Sequence, residues 1–147
     1  MMQSIESLLT QVSRRWREQH LAVASGASFA ELRSFEARFK VQCPADFATY
    51  VLTVGGMPGN VWDEHMIRFW PLAEVRPVEG ETGVSTYSDY FIFADYSISA
   101  HEYGIRLSTP HLPEVALIGG LAPKAVASSF TAFLGQYLSD PSSIFRA

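Results

Sequence analysis

Ile5, Leu8, Leu9, Val12 and Trp16 fall at i, i+3, i+4, i+7 and i+11, a single apolar stripe that predicts an amphipathic helix over about residues 3–19. Gly26 marks a loop. Ser28 and Glu31 then form the S-x-x-E pattern that opens a second helix, with Leu32, Phe35 and Phe39 facing inward. Pro44 reads as the first residue of a third helix, where its missing N–H costs nothing. Phe47, Tyr50, Val51 and Val54 form that helix's buried face, and Gly55 is expected to supply a left-handed stop.

Beyond Asn60 the period changes. Ile67 and Phe69, extended by Trp70, predict a first strand broken by Pro71, and Pro71 and Pro77 belong at strand ends or edges because neither donates to a ladder. Tyr90–Ala94 is an aromatic, apolar run suited to a buried strand. Tyr103, Ile105 and Leu107 alternate with Gly104, Arg106 and Ser108 as a half-buried strand does. Asp95 to Glu102 reads as a polar connector between these two strands, and Glu79–Asp89, without periodicity, as a mobile loop or short turn region. Val115–Ile118 is expected to be the last strand, closed by Gly119 and Gly120. Ser128 or Ser129 then caps a final helix whose stripe is Phe130, Phe133, Leu134, Tyr137 and Leu138, ended by Asp140 and Pro141. Helices at both ends flanking hairpin-connected strands make an α+β domain.

Composition narrows the class of molecule. The chain has 147 residues, 48% of them hydrophobic, enough for one real core and no need for a second domain. A net charge of −4 excludes a general nucleic-acid binder, which needs a clustered excess of Lys and Arg. Cys43 is the only cysteine, which excludes an internal disulfide and a thiolate zinc cage. The N-terminal stretch lacks the apolar core of a signal peptide, and no run approaches the roughly 20 apolar residues of a membrane span. A soluble, cytoplasmic protein without membrane contact is expected.

The charge is concentrated. Residues 60–102 carry eight acids against Arg68 and Arg76, a net −6, so the flanks sum to +2. Scattered acids are ordinary on solvated loops, but a connected acidic face suits a basic protein partner. For catalysis, Asp95, His101 and Glu102 are the best constellation. His101 and Glu102 are adjacent, however, and on an extended chain they point to opposite faces, while no metalloprotease spacing, phosphate loop or nucleophile elbow accompanies them. Asp95 is expected to accept backbone hydrogen bonds at its strand end. No catalytic residue, cofactor or metal site is therefore assigned. Arg14, Arg15 and Arg17 complement a helix dipole, Cys43 reads as a small core residue, and His20, His65 and His111 lie scattered in linkers.

Aromatic residues stand among the acids. Trp70 and Tyr90 read as core, whereas Trp62 and Tyr96 are open to either core or interface. The residues assigned to partner binding are Trp62, Asp63 and Glu64 together with Asp95, Tyr96 and Glu102. The four carboxylates would set long-range attraction, and the two aromatics the buried contact.

The order of four segments carries a resemblance. The helix FAELRSFEARF, the Pro-started helix in CPADFATYVLTVGG, the strand pair in FIFADYSISAHEYGIRL and the closing helix SSFTAFLGQYL, spanning about Ser28 to Leu138, resemble the SUKH superfamily of Smi/Knr-like proteins and bacterial immunity proteins. Cys43-Pro44 stands where that family usually has Leu-Pro, a departure that keeps an apolar anchor. The resemblance implies one SUKH-like α+β domain over residues 1–147, with a twisted, mainly antiparallel sheet, helices packed around it and the N-terminal helix as an extension. It also implies an immunity protein that neutralises a cognate polymorphic toxin by stoichiometric binding, a toxin class that includes basic nucleases. The alternative it leaves is a regulatory or scaffold domain that binds a cellular protein or peptide.

Overall fold

A computed structural model describes residues 3–59, 61–78, 90–98, 100–107, 113–119 and 122–144. The chain begins with three helices, α1 (Ile5–Glu18), α2 (Phe29–Phe39) and α3 (Ala45–Thr53). Six strands follow among the described residues: β1 (Ile67–Phe69), β2 (Arg76–Pro77), β3 (Tyr90–Tyr96), β4 (His101–Arg106), β5 (Val115–Ile118) and β6 (Lys124–Ala127). Helix α4 (Phe130–Ser139) closes the fold. Among the described residues every strand pairing is antiparallel, the sheet is open, and one hydrophobic cluster draws on all four helices and the sheet. The domain is α+β.

The helices arise where their local signals place them. In α1 the stripe Leu8, Leu9, Val12 and Trp16 is buried and Ile5 half-buried; in α2 Ser28 forms both bonds of a capping box with Glu31. Arg15 donates to the Leu138 carbonyl at 3.0 Å, so one of the terminal arginines ties α1 to the C-terminal end of α4. Three local expectations are corrected. Pro44 is the residue before α3, not its first member, and the Asp46 carboxylate accepts from the Phe47 N–H in its own turn and from the N–H and hydroxyl of Thr131 of α4. Val54, with φ −128°, ends α3, and the left-handed residue is Gly56, with φ +75°. Gly55 is required for a different reason: a Cβ there would lie 2.1 Å from the Ser25 carbonyl oxygen and 2.2 Å from that of Ala24.

Lys124–Ala127 forms an additional strand, where Val115–Ile118 was expected to be the last. It is an outer strand with exposed Lys124 and Ala125, so it lacks the apolar alternation that marks a half-buried strand. The polar connector is also shorter than expected. Asp95 and Tyr96 belong to β3, and His101 and Glu102 to β4, which leaves Ser97, Ile98 and Ala100 as the described residues of the turn. The loop expected over Glu79–Asp89 lies outside the described residues.

β1 and β2 lie end to end along one edge of β3, separated by a 3₁₀ turn at Leu72–Glu74; β4, β5 and β6 follow in order on the other side. Residues opposite one another in a ladder share a face. One face therefore carries the rows Phe69–Ala94–Tyr103–Leu117 and Phe91–Ile105–Val115–Ala127. Its aromatic rings meet the helices: Phe93 and Tyr103 lie 5.4 and 5.3 Å from Phe133 of α4, and Phe91 lies 5.3 Å from Phe39 of α2. The opposite face carries Arg68–Asp95–Glu102–Ile118 and Arg76–Ile92–Gly104–Ala116. No described helix is long and apolar enough to cross a membrane.

Candidate partner-binding end of the sheet

Counting by twos along β3 places Asp95 with Phe91 and Phe93, in the aromatic core. The ladder instead contains a register shift between Ile92 and Ala94, so Asp95 lands on the opposite face, across from Arg68 and Glu102. There its Oδ1 accepts from the Trp70 indole at 2.8 Å and its Oδ2 from the Trp62 indole at 3.2 Å. Arg68 Nε stands 3.5 Å from Oδ1, a close ion pair without hydrogen-bond geometry. The same guanidinium donates to the Met57 carbonyl at 2.8 Å, pairs with Glu74 at 2.9 Å, and lies 5.3 Å from the Trp70 ring centre. The Met57 loop is in turn held by Gly55 and Gly56 and by Met57 N–H donating to the Phe69 carbonyl at 2.8 Å.

Asp95 is 1% exposed and accepts from two indole N–H groups, so the expectation of a surface charge is corrected. Asp63 requires the same correction. At 3% exposed, it turns inward, and its Oδ1 accepts from the backbone N–H groups of His65 and Ile67 at 2.8 and 2.9 Å. Its other oxygen accepts from the Tyr137 hydroxyl, which itself accepts from the Trp16 indole at 2.8 Å. Asp63 thus fastens the turn before β1 to α4 and α1. Neither carboxylate is available to meet a partner directly in this conformation.

The buried hydroxyls and thiol give the fold an alkaline limit. Burial, and secondarily the Glu36 carboxylate, pushes the Cys43 thiol from 9.0 up to about 12. Burial also raises Tyr50, Tyr103 and Tyr137, the last with Asp63 adding to the effect. An acid whose folded pKa is raised ionises first in the unfolded chain, so its contribution is complete below the unfolded value and is lost as pH climbs toward the folded one. The urea unfolding midpoint is expected to fall progressively as pH rises from 9.0 to about 12. Cys43→Ser should make the onset of that decline later. A midpoint that is level across this range would contradict the buried state of these groups.

The structure does bring together the two segments singled out from the sequence. Besides the Trp62–Asp95 bond, Ser97 N–H donates to the Met66 carbonyl at 2.8 Å, joining the turn before β1 to the β3–β4 turn. Trp62, Tyr96 and Glu102 are half-buried and Glu64 is exposed. The Tyr96 ring stacks on His101, with centres 5.8 Å apart and planes at 21°. By register, His101 pairs with Tyr96, whereas Glu102 pairs with Asp95 on the other face, so Asp95, His101 and Glu102 do not converge on one point.

Two residues at this end escaped the sequence reading. Met66 and Ile98 are 40% and 68% exposed, both in the left-handed backbone region, with φ 64° and 54°. The available signal was Ile98 itself, an aliphatic residue flanked by serines in a polar turn. Together the Met57–Arg68 and Asp95–Glu102 segments hold four acids against one arginine, a net −3 with histidines neutral. No protein-family model and no curated protein sequence matches the chain.

Proposed function

We propose that this protein is an immunity-type protein that neutralises a cognate polymorphic toxin by stoichiometric protein–protein binding, acting in the cytoplasm of the producing cell, and that the toxin is a basic domain such as a nuclease. The toxin–immunity class comes from the resemblance to the SUKH superfamily. The observation supporting the location is the meeting of Trp62 with the β3–β4 hairpin, which assembles aromatic surface and carboxylates at one end of the sheet. Neither Met57–Ile67 nor Asp95–Ile105 contains a lysine or arginine, so this end is complementary to a basic surface. Toxic nucleases need cationic surfaces to hold phosphates, and an acidic inhibitor gains both faster encounter and occlusion of the phosphate site.

The roles within the expected site change. Glu64 and Glu102 meet the partner, with Trp62 and Tyr96 at the contact, while Asp63 and Asp95 hold those residues in place from beneath. Titrating a purified toxin from the neighbouring reading frame against this protein should give complete neutralisation at a one-to-one ratio of sites, unchanged by chelator. Glu64→Lys with Glu102→Lys should slow association by roughly tenfold at low salt and flatten its salt dependence. Neutralisation below one equivalent, or its loss with chelator, would instead indicate chemistry and reopen the roles of His101 and Glu102.

A second reading is a Smi/Knr-like scaffold that binds a cellular peptide. The observation favouring it is a groove of about 360 Å³ between α2 and the Leu72–Val75 segment, floored by Phe35, Phe39, Leu72 and Val75, with Glu31 and Arg38 among its polar lining. Co-expression separates the two readings. A neighbouring gene product that kills cells alone but not together with this protein supports immunity, whereas a harmless neighbour supports the scaffold.

A further inference from the structure

The exposed apolar residues of the hairpin end are held in a costly backbone conformation. Ile98 is β-branched, and a β-branched side chain at φ 54° is an outlier among L-residues. Ser97, at φ 52°, and Met66, at φ 64°, share that region. Such conformations persist only where surrounding structure imposes them, and they gather at binding sites. Here the imposing contacts are visible. Ser97 N–H is bound to the Met66 carbonyl at 2.8 Å, Ala100 N–H to the Ser97 carbonyl at 3.2 Å, and Met66 N–H to the Asp63 carbonyl at 2.9 Å. Asp63 is itself anchored to Tyr137 in the core.

The consequence is two apolar side chains presented to solvent from bonded backbone, close in sequence to Tyr96, whose ring stacks on His101, and to the exposed Glu64. Fixed backbone lowers the ordering cost of binding, and an apolar centre with a charged rim is the arrangement of an interface hot spot. The local charge of −3 selects the occupant. A second copy would bring −3 against −3, and an anionic membrane would repel the same carboxylates. We infer that Met66 and Ile98 form a rigid knob that anchors this protein in an apolar pocket ringed by lysines and arginines on a basic protein. This rests on the protein-binding reading above and names its anchoring contact and the chemistry that receives it.

The test places p-benzoylphenylalanine at position 98, and separately at Phe29, an equally solvent-facing apolar site 59% exposed on α2, in full-length protein in the producing cells. Irradiation should capture at position 98, and not at 29, a protein whose cross-linked segment is apolar and flanked by Lys or Arg. With that captured protein purified as the probe, Ile98→Asp should raise Kd by roughly 100-fold at an unchanged urea midpoint. Ile98→Gly should raise the midpoint, because it removes the left-handed Cβ, yet still weaken binding by roughly tenfold. Capture of nothing, of a second copy, or of a protein without a cationic pocket rim would overturn the inference, as would an Ile98→Asp affinity within threefold of the parent. Binding to phosphatidylserine vesicles that disappears with Ile98→Asp would also overturn it, in favour of a membrane. If the captured basic protein meets these criteria but is harmless to cells, the anchor stands and the toxin-immunity reading falls. If a toxin is neutralised equally by the parent and by Ile98→Asp, the immunity reading stands and the anchor falls.

Discussion

Asp95→Ala is expected to destabilise the protein by about 3–5 kcal/mol, because it leaves a buried guanidinium without one of its two carboxylates. Arg68 is 8% exposed, its second carboxylate, Glu74, is partly open to water, and the Trp62 and Trp70 indole N–H groups would lose their acceptor at the same stroke. Asp95→Asn should not rescue the fold fully. It keeps the shape but not the charge, and its amide group would face donors rather than acceptors. Arg68→Met combined with Asp95→Ala should cost less than the sum of the two single changes by about 0.5–3 kcal/mol, as expected for residues in one network. Urea unfolding followed by tryptophan emission checks both points, since two of the three tryptophans are bonded to the residue being changed. A loss under about 1 kcal/mol for Asp95→Ala would show that water satisfies the site. For the proposed function, the same variant should weaken partner binding through displacement of Trp62 even where the protein remains folded.

Phe133→Ala is expected to cost about 3–5 kcal/mol, the range for a buried phenylalanine. Its ring is fully buried between Phe93 and Tyr103 of the sheet and Phe69 of β1, with centre distances of 5.3–6.1 Å. Those neighbours are themselves fixed by other rings, Phe93 by Phe47 and Phe130, Phe69 by Trp16 and Tyr137, so the cavity cannot collapse cheaply. Phe133→Leu retains most of the volume and should cost distinctly less. Equilibrium urea unfolding of the two variants gives the comparison, and a change under about 1 kcal/mol for alanine would show that α4 does not form the core between the sheet and α1.

These two expectations differ in how much of them could be read from the chain. Phe133 belongs to a stripe that repeats within one helix, so its inward orientation follows from the 3.6-residue period, and the same is true of Trp16 and Phe47. The capping box at Ser28 and the buried run at Tyr90–Ala94 are equally local signals. β6 was not legible because its outer position leaves Lys124 and Ala125 in solvent and only its last residue, Ala127, buried, too little for an alternation to detect. Gly55 was legible as a helix-ending glycine but not in its role, since the carbonyls that exclude a Cβ come from the Ala24–Ser25 loop.

The chain alone determined the α+β class, the four helices and the two central strands, and it singled out two segments whose meeting at one end of the sheet only the tertiary structure decided. Tertiary structure decided what their carboxylates do. Asp63 turns inward because Tyr137, 74 residues away, and through it Trp16 supply donors that no local pattern announces. Asp95 crosses to the polar face because one register shift between Ile92 and Ala94 reverses its side of the sheet, and a two-residue period is inverted by a single extra residue. With both acids committed to the interior, the exposed side chains at that end include, among the described residues, Glu64, Met66, Ile98 and His101. Exposure and left-handed geometry arise from long-range contacts, whereas hydrophobic periodicity arises from neighbours along the chain.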